Sequence, residues 1–385
     1  MSANKTHYYH LLNKEGQQAY YCIKKGLENL ETSFPVPRLD GRELTNIYFM
    51  VRLDHPEIFY TVTFKYRYYP DSEMVELIPE YLFPKKQIKE HIQAMESRVK
   101  KLVRQAEGLD ELGKEQYIHD FVVDNIHYDK LKKPYSHEII GSLGHGVGVC
   151  EGIAKTVKIL CDAMGIWCII AISDANPEKK IKYRHAWNVI RIGGKYYHLD
   201  ATFDNSLSNP AGRESQNKQA ASPQGHAAQS KAAQGKGNQG KGKKKAPERD
   251  WPMRYDYYNL NDKQFFRDHE PVIWQVPQCT EGSHSWYQEK KLSFTKLEDV
   301  RKRAAQAAKK GKPFLFHWRG GYLTKEVLEE LIGILREEGA AKNKHLYLSL
   351  NWPQAVLLAM FREEEKEESI VMEEANEGEL YDGEA

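Results

Sequence analysis

The sequence predicts an α+β fold in which one helix packs on an antiparallel sheet, followed by a small α/β appendage at the C-terminal end. Three observations carry this. An amphipathic helix opens at Cys150, directly after the glycine-rich run Gly144-His145-Gly146-Val147-Gly148-Val149. Two strand-like runs, His185–Ile192 and Lys195–Phe203, are separated only by Gly193-Gly194, the signal of a tight primed hairpin turn. Beyond residue 290, strand and helix patterns alternate.

Taken in order, residues 1–83 read as an N-terminal helix plus an accessory hairpin. Its strands, Ile58–Tyr69 and Met74–Phe83, alternate apolar and polar residues around Pro70-Asp71. Pro84 starts a helix with Ile88, Ile92, Met95, Val99 and Leu102 on one stripe, and a second helix covers Lys114–Ile126. Both are expected to lie beside the helix of Cys150. That helix is read from Ile153, Val157, Leu160 and Met164 at three- and four-residue spacing, with Gly165 where a C-terminal cap belongs. A short strand, Ile166–Ile172, precedes the hairpin. Residues 84–290 thus form the main body, interrupted by 206–250, a Lys-, Gln-, Gly- and Ala-rich stretch that has too few large apolar residues to bury a core.

Residues 291–362 form the appendage. Thr295-Lys-Leu-Glu298 reads as a capping box at the head of a helix running to Gly311. Strand Phe314–Trp318, a helix over Lys325–Arg336, strand Leu346–Leu350 and a helix from Pro353 are expected to follow. The acidic tail 363–385 is expected to be disordered.

Cys150, His185 and Asp200 stand in the order and setting of a thiol nucleophile, its base and an orienting acid. In the first turn of a helix, unpaired N–H groups and the positive end of the helix dipole favour an anion. A free cysteine ionises near ~8.5, so that setting and a neighbouring imidazolium are what make a thiol reactive at neutral pH. With a two-residue loop, Ile192 faces Lys195, Trp187 faces Asp200 and His185 faces Thr202, which makes His185 and Asp200 diagonal neighbours. A slip of one residue would put them on opposite faces.

Plain structural alternatives exist. Cys150 could be a small buried apolar group, His185 a hydrogen-bonded edge histidine, and Asp200 a turn cap or a partner of Arg184 or Lys195. Trp187 reads as a packing aromatic. Tyr196, His198 and Thr202 share the predicted face, with His198 the rival base in another register.

The segments GVCEGIAKTVKILCDAMGI, RHAWNVI and GGKYYHLDATFD resemble the transglutaminase-like superfamily of papain-related Cys-His-Asp folds. They are most like bacterial members with a Gly-x-Cys-x-Gly turn, a His-Ala-Trp-Asn strand and a His-x-Asp-x-Thr strand. Weaker similarity runs from Asp54–Tyr60 to Arg254–Asn261. The resemblance implies a papain/transglutaminase-like core in which Cys150 attacks a carbonyl, His185 moves the proton and Asp200 orients the imidazole, with acyl transfer through a thioester. The backbone N–H of Cys150 is the first oxyanion donor, and no second donor is visible. Cross-linking transglutaminases carry a tryptophan after the cysteine. Here the residue is Glu151. Hydrolysis of a peptide, isopeptide or other amide is therefore the leading expectation, with protein cross-linking and a non-catalytic binding or scaffold role as alternatives.

Cys22, Cys161, Cys168 and Cys279 show no paired metal-ligand spacing, and no Asp/Asn-rich calcium loop occurs, so no metal or cofactor is expected. Five cysteines, an odd number, argue against a disulfide framework, and the absence of a long apolar run argues against a signal peptide or membrane span. A cytoplasmic protein is expected. A net charge of +2 gives no general reason for nucleic-acid or membrane binding. A protein or peptide substrate is the expected partner. The basic insertion and acidic tail are candidate partner-binding segments against a simpler reading as solvated chain. Removing residues 210–245 is expected to leave the catalytic apparatus assembled.

Overall fold

A computed structural model describes residues 6–209 and 251–363. The acidic tail beyond Glu363 and all of the basic insertion past Asn209 lie outside the described residues.

The centre is helix α5, Cys150–Met164, whose bounds are those the sequence predicts. Its apolar stripe, Ile153, Val157 and Leu160, is at most 1% exposed. Each such side chain contributes about 1.5–3 kcal/mol through burial. Gly165 ends the helix at φ 81°, a left-handed conformation that glycine adopts without penalty. Around α5 pack α3 (Lys85–Gln105) and α4 (Glu111–Asn125). On another side lies a four-stranded antiparallel sheet in the order β6-β7-β8-β9, formed by Cys168–Ser173, His185–Ile192, Lys195–Leu199 and Tyr258–Leu260.

The β7–β8 turn has φ 57° at Gly193 and 79° at Gly194, the two positive values a primed turn needs. Ile192 pairs with Lys195, and the register continues to Asn188 opposite Leu199. There the ladder stops. The expected strand to Phe203 is therefore too long, and His185 does not face Thr202 across a ladder. Instead Ala201–Ser208 forms helix α6, with Asp200 as its N-cap. A carboxylate that accepts two backbone N–H groups ends a strand as effectively as it starts a helix. Ser206–Ser208, assigned to the insertion from composition, close this helix.

Before the core come α1 (Lys14–Glu28), β1 (Phe34–Pro37), α2 (Gly41–Asp54), β2 (Thr61–Arg67) and β3 (Met74–Tyr81). The accessory hairpin β2–β3 forms as expected and gains β1 as a third strand, in the order β1-β3-β2. Helix α2 was not legible beforehand. Its apolar positions are interrupted by Arg52 and Asp54, both buried and paired deep in the structure.

In the C-terminal part, β10 (Ser293–Phe294), α7 (Leu297–Lys310), β11 (Phe314–Trp318), α8 (Lys325–Ala340), β12 (His345–Asn351) and β13 (Val356–Arg362) build a sheet in the order β10-β11-β13-β12. Two expectations fail here. Helix α7 starts at Leu297 without a side-chain cap, so the capping box does not form. The segment after Pro353 is the central strand β13. An unbroken apolar run such as Val356–Phe361 does not separate helix from strand by periodicity. It is apolar throughout because both faces are covered. Leu357, Ala359 and Phe361 meet α7 and α8, while Val356, Leu358 and Met360 meet Tyr287 and the segment beside it.

Candidate active site

Cys150 is the first residue of α5 and half-buried, whereas Cys161, Cys168 and Cys279 are buried. Its placement is fixed from the preceding loop. The Val149 N–H donates to Ser136 O at 3.0 Å, and Ser142 Oγ donates to Gly152 O at 3.1 Å. Gly152 is required. A Cβ there would stand 2.2 Å from Ser136 O. The short parallel bridge of β4 (His127–Tyr128) with β5 (Val147–Gly148) completes the approach to the cysteine.

His185 opens β7, paired with Ser173 of β6. Its Nε2 lies 2.6 Å from Asp200 Oδ2, and its ring interacts electrostatically with the Cys150 thiol. Since a carboxylate only accepts, Nε2 carries a proton and Nδ1 is left for the sulfur. Trp187 stacks on the ring at 5.9 Å and Phe203 meets it edge-on at 5.0 Å, which excludes water from that side. Burial opposes a charge on His185, but the Asp200 carboxylate outweighs it and raises the imidazole to about 10.

Asp200 is buried and uses both oxygens. Oδ1 accepts from Thr202 N at 2.8 Å and Phe203 N at 3.1 Å, while Oδ2 accepts from His185. It thus caps a helix and orients the imidazole together, so the structural and chemical readings of this residue coincide. Burial would raise its carboxyl, yet His185 and the hydrogen bonds hold it well below the usual carboxylate range. Helix α6 is anchored in turn: Asp204 Oδ1 accepts from Asp256 N at 2.7 Å, and Asn205 Nδ2 donates to Ile126 O at 2.8 Å. Arg184 and Lys195, the alternative partners of Asp200, pair elsewhere, with Asp174 and Glu281.

The raised histidine and the lowered aspartate are one interaction seen from its two ends. Its contribution to stability is complete between about pH 4 and 6.5, is lost as pH rises through about 10 with His185, and fades at strongly acid pH with Asp200.

Both ring nitrogens of His198, the rival base, are occupied. Its Nδ1 accepts from Trp187 Nε1 at 3.0 Å and its Nε2 donates to Asp262 at 2.8 Å. Tyr196 packs against Trp167, and Thr202 sits in the first turn of α6. Trp187 is buried as a packing aromatic, and Tyr255, Tyr257 and Tyr258 are likewise core.

Among the described residues, two groups bring three potential metal-ligand atoms within 4.8 Å: His185, Asp200 and His269, and His198, Asp262 and Cys279. In both, the imidazole nitrogens are already committed. Trp187 occupies the lone pair of neutral His198, and both Nε2 atoms on Asp200 carry protons. Neither arrangement presents histidine as a free ligand.

Sequence reasoning missed three features. The first is a buried ionic cluster under the start of α5. Lys155 Nζ lies 2.7 Å from both Glu138 Oε1 and Glu151 Oε1, and Arg52 reaches the same two carboxylates. His137 closes onto Glu151 at 3.2 Å. Glu151, the residue after Cys150, therefore fastens the helix start. The second is Tyr128, a half-buried phenol beside the Cys150 turn whose ionisation is pushed far up by burial and by the charges of Cys150 and Asp200. The third is His269, whose Nε2 lies 3.1 Å from Asp200 Oδ2. Only the Glu151–Lys155 pair of the cluster, four residues apart on α5, has a sequence signature; the other partners come from remote or irregular segments.

A helix with a cysteine at its head, packed on an antiparallel sheet that presents His185 to Asp200, defines a papain-related, transglutaminase-like core. Residues 99–201 match the model of the transglutaminase-like superfamily. No curated protein matches the chain. Among solved structures, a TGase is similar at 13% identity with a TM-score of 0.26, over 44% of this chain and 50% of that one. A provisionally assigned cysteine protease from Cytophaga hutchinsonii is similar at 16% identity with a TM-score of 0.24, over 37% of this chain and 62% of that one. A provisionally assigned protease from Parabacteroides distasonis follows at 14% identity and 0.22, over 37% of each. The chain thus spans less than two thirds of each of these structures. Among the described residues no helix is long and apolar enough to cross a membrane.

Proposed function

We propose that this protein is a cysteine-dependent acyl-transfer enzyme that hydrolyses a peptide, isopeptide or other amide bond. The observation that carries the reading is His185, held by Asp200 through Nε2 and interacting with the Cys150 thiol. In this mechanism Cys150 Sγ attacks the amide carbonyl carbon and the C–N bond breaks. The imidazolium of His185 gives its proton to the departing amine, leaving a thioester. Water then attacks the thioester, His185 takes its proton, and the carboxylic acid leaves as the thiol is restored. The oxyanion would rest on the N–H of Cys150, which has no acceptor within the helix, with Tyr128, paired with Gly148 beside the same turn, as the candidate second donor.

Water as acyl acceptor is supported by Glu151. Its carboxylate is drawn into the Lys155–Arg52 cluster, and the position directly after Cys150 carries no aromatic side chain to screen the thioester from water. The test is incubation with glutamine- and lysine-containing peptides and a fluorescent primary amine. Release of free acid and amine, abolished in Cys150→Ala, is the expected result. Predominant incorporation of the fluorescent amine would replace hydrolysis by cross-linking, and no turnover with either would favour a binding role.

A further inference from the structure

His269 lies on an irregular segment after the single helical turn Asp262–Phe265 and is buried, with its side chain 2% exposed. Its two nitrogens meet two different carboxylates: Nε2 stands 3.1 Å from Asp200 Oδ2, and Nδ1 stands 2.9 Å from Asp268 Oδ1. Asp268 is surrounded by donors. Tyr257 Oη donates to its Oδ2 at 2.6 Å, and Gln354 Nε2, from the loop between β12 and β13, donates to Oδ1 at 3.2 Å. Asp268 thus accepts on both oxygens. Both nitrogens of His269 must therefore carry hydrogen, which makes the ring an imidazolium.

We propose that His269 is a positioning residue of the Cys150–His185–Asp200 site: a fixed cation, clamped by Asp268, that holds Asp200 Oδ2 in place and sets the pH range over which His185 stays protonated. The proposal rests on the acyl-transfer reading above and deepens it. The groups facing His269 are Asp200 at the head of α6, His185 on β7, His198 on β8, Tyr257 before β9 and Asp268 beside it. His185 and His269 share one carboxylate oxygen, with ring centres 5.5 Å apart. A cation at that distance opposes a second cation, so His269 restrains the upward pull of Asp200 on His185. Burial opposes charge on His269 as well, but its bonds to Asp200 and Asp268 raise it above the ordinary histidine range. Phe265, stacked on it at 3.8 Å, keeps water from replacing these bonds.

The test combines histidine-labelled NMR of the full chain with the pH dependence of Cys150 alkylation by iodoacetamide. In the wild type, His269 is expected to titrate above the ordinary histidine range. His269→Gln keeps an N–H for Asp200 but removes the charge, and is expected to move the alkaline limb of the alkylation profile up by about one pH unit. Asp268→Asn, a second route to the same end, is expected to return His269 toward ordinary histidine titration. A neutral His269 at pH 7, or a His269→Gln profile that is scaled down without shifting, would overturn the proposal. If His185→Ala leaves alkylation unchanged, the acyl-transfer reading itself fails. A dependence on His185 with no effect of His269→Gln removes only the role of His269.

Discussion

Asp200→Asn is expected to lower kcat/KM for amide cleavage by about 10⁴-fold while the protein stays folded, on the scale seen when the aspartate of a nucleophile–histidine–aspartate set is made neutral. Asparagine is as good a helix N-cap as aspartate, and its Oδ1 can still accept from Thr202 N and Phe203 N. The damage is on the other atom. In place of Oδ2, an amide NH₂ faces the N–H of His185 at 2.6 Å and that of His269 at 3.1 Å, so donor meets donor on both sides. His185 must then turn, presenting Cys150 with the other nitrogen, or change tautomer, so that the nitrogen facing Cys150 already carries the proton it should accept. Steady-state kinetics with a cleaved peptide, together with a urea melt, would separate this from unfolding. An equal loss of stability and activity would mean that Asp200 serves α6 alone.

Lys155→Met is expected to destabilise the fold by about 3–5 kcal/mol, because one partner of a buried ionic cluster is removed and the other is left uncompensated. Lys155 and Glu138 have side chains at 0% exposure, and the lysine bridges Glu138 and Glu151 at 2.7 Å each. Arg52 alone would then face two carboxylates. The double variant Lys155→Met, Glu138→Gln is expected to recover much of the loss, since it removes charge of both signs. Equilibrium urea unfolding of the two variants measures this. Wild-type stability in Lys155→Met would show that the cluster does not carry the start of α5.

The central elements were legible because local signals agreed with the fold. The stripe of α5, the glycine stop at Gly165 and the Gly193-Gly194 turn set helix bounds and strand register before any tertiary contact is considered. The register is what brings His185 toward Asp200. The strand end was misread because Asp200-Ala-Thr-Phe continues an alternating pattern, and only the capping bonds show the chain turning into α6. Helix α2 and strand β13 were hidden for opposite reasons. Arg52 and Asp54 break the apolar stripe of α2 with buried polar groups, whereas β13 has no polar residue to reveal a period. His269, Tyr128 and the Arg52–Glu138–Lys155 cluster could not have been found by spacing, since their partners lie 17 to 86 residues away or on irregular chain.

The central claim is that Cys150 works as a nucleophile because His185, held by Asp200, stands beside it. The most direct test is the rate of Cys150 alkylation by iodoacetamide from pH 5 to 9 in wild type and in His185→Ala, with Cys150→Ala identifying the labelled site. Rapid labelling at acidic to neutral pH in the wild type, lost in His185→Ala, is the predicted result. Slow labelling that rises only near the pH of an ordinary thiol, unchanged by His185→Ala, would contradict it.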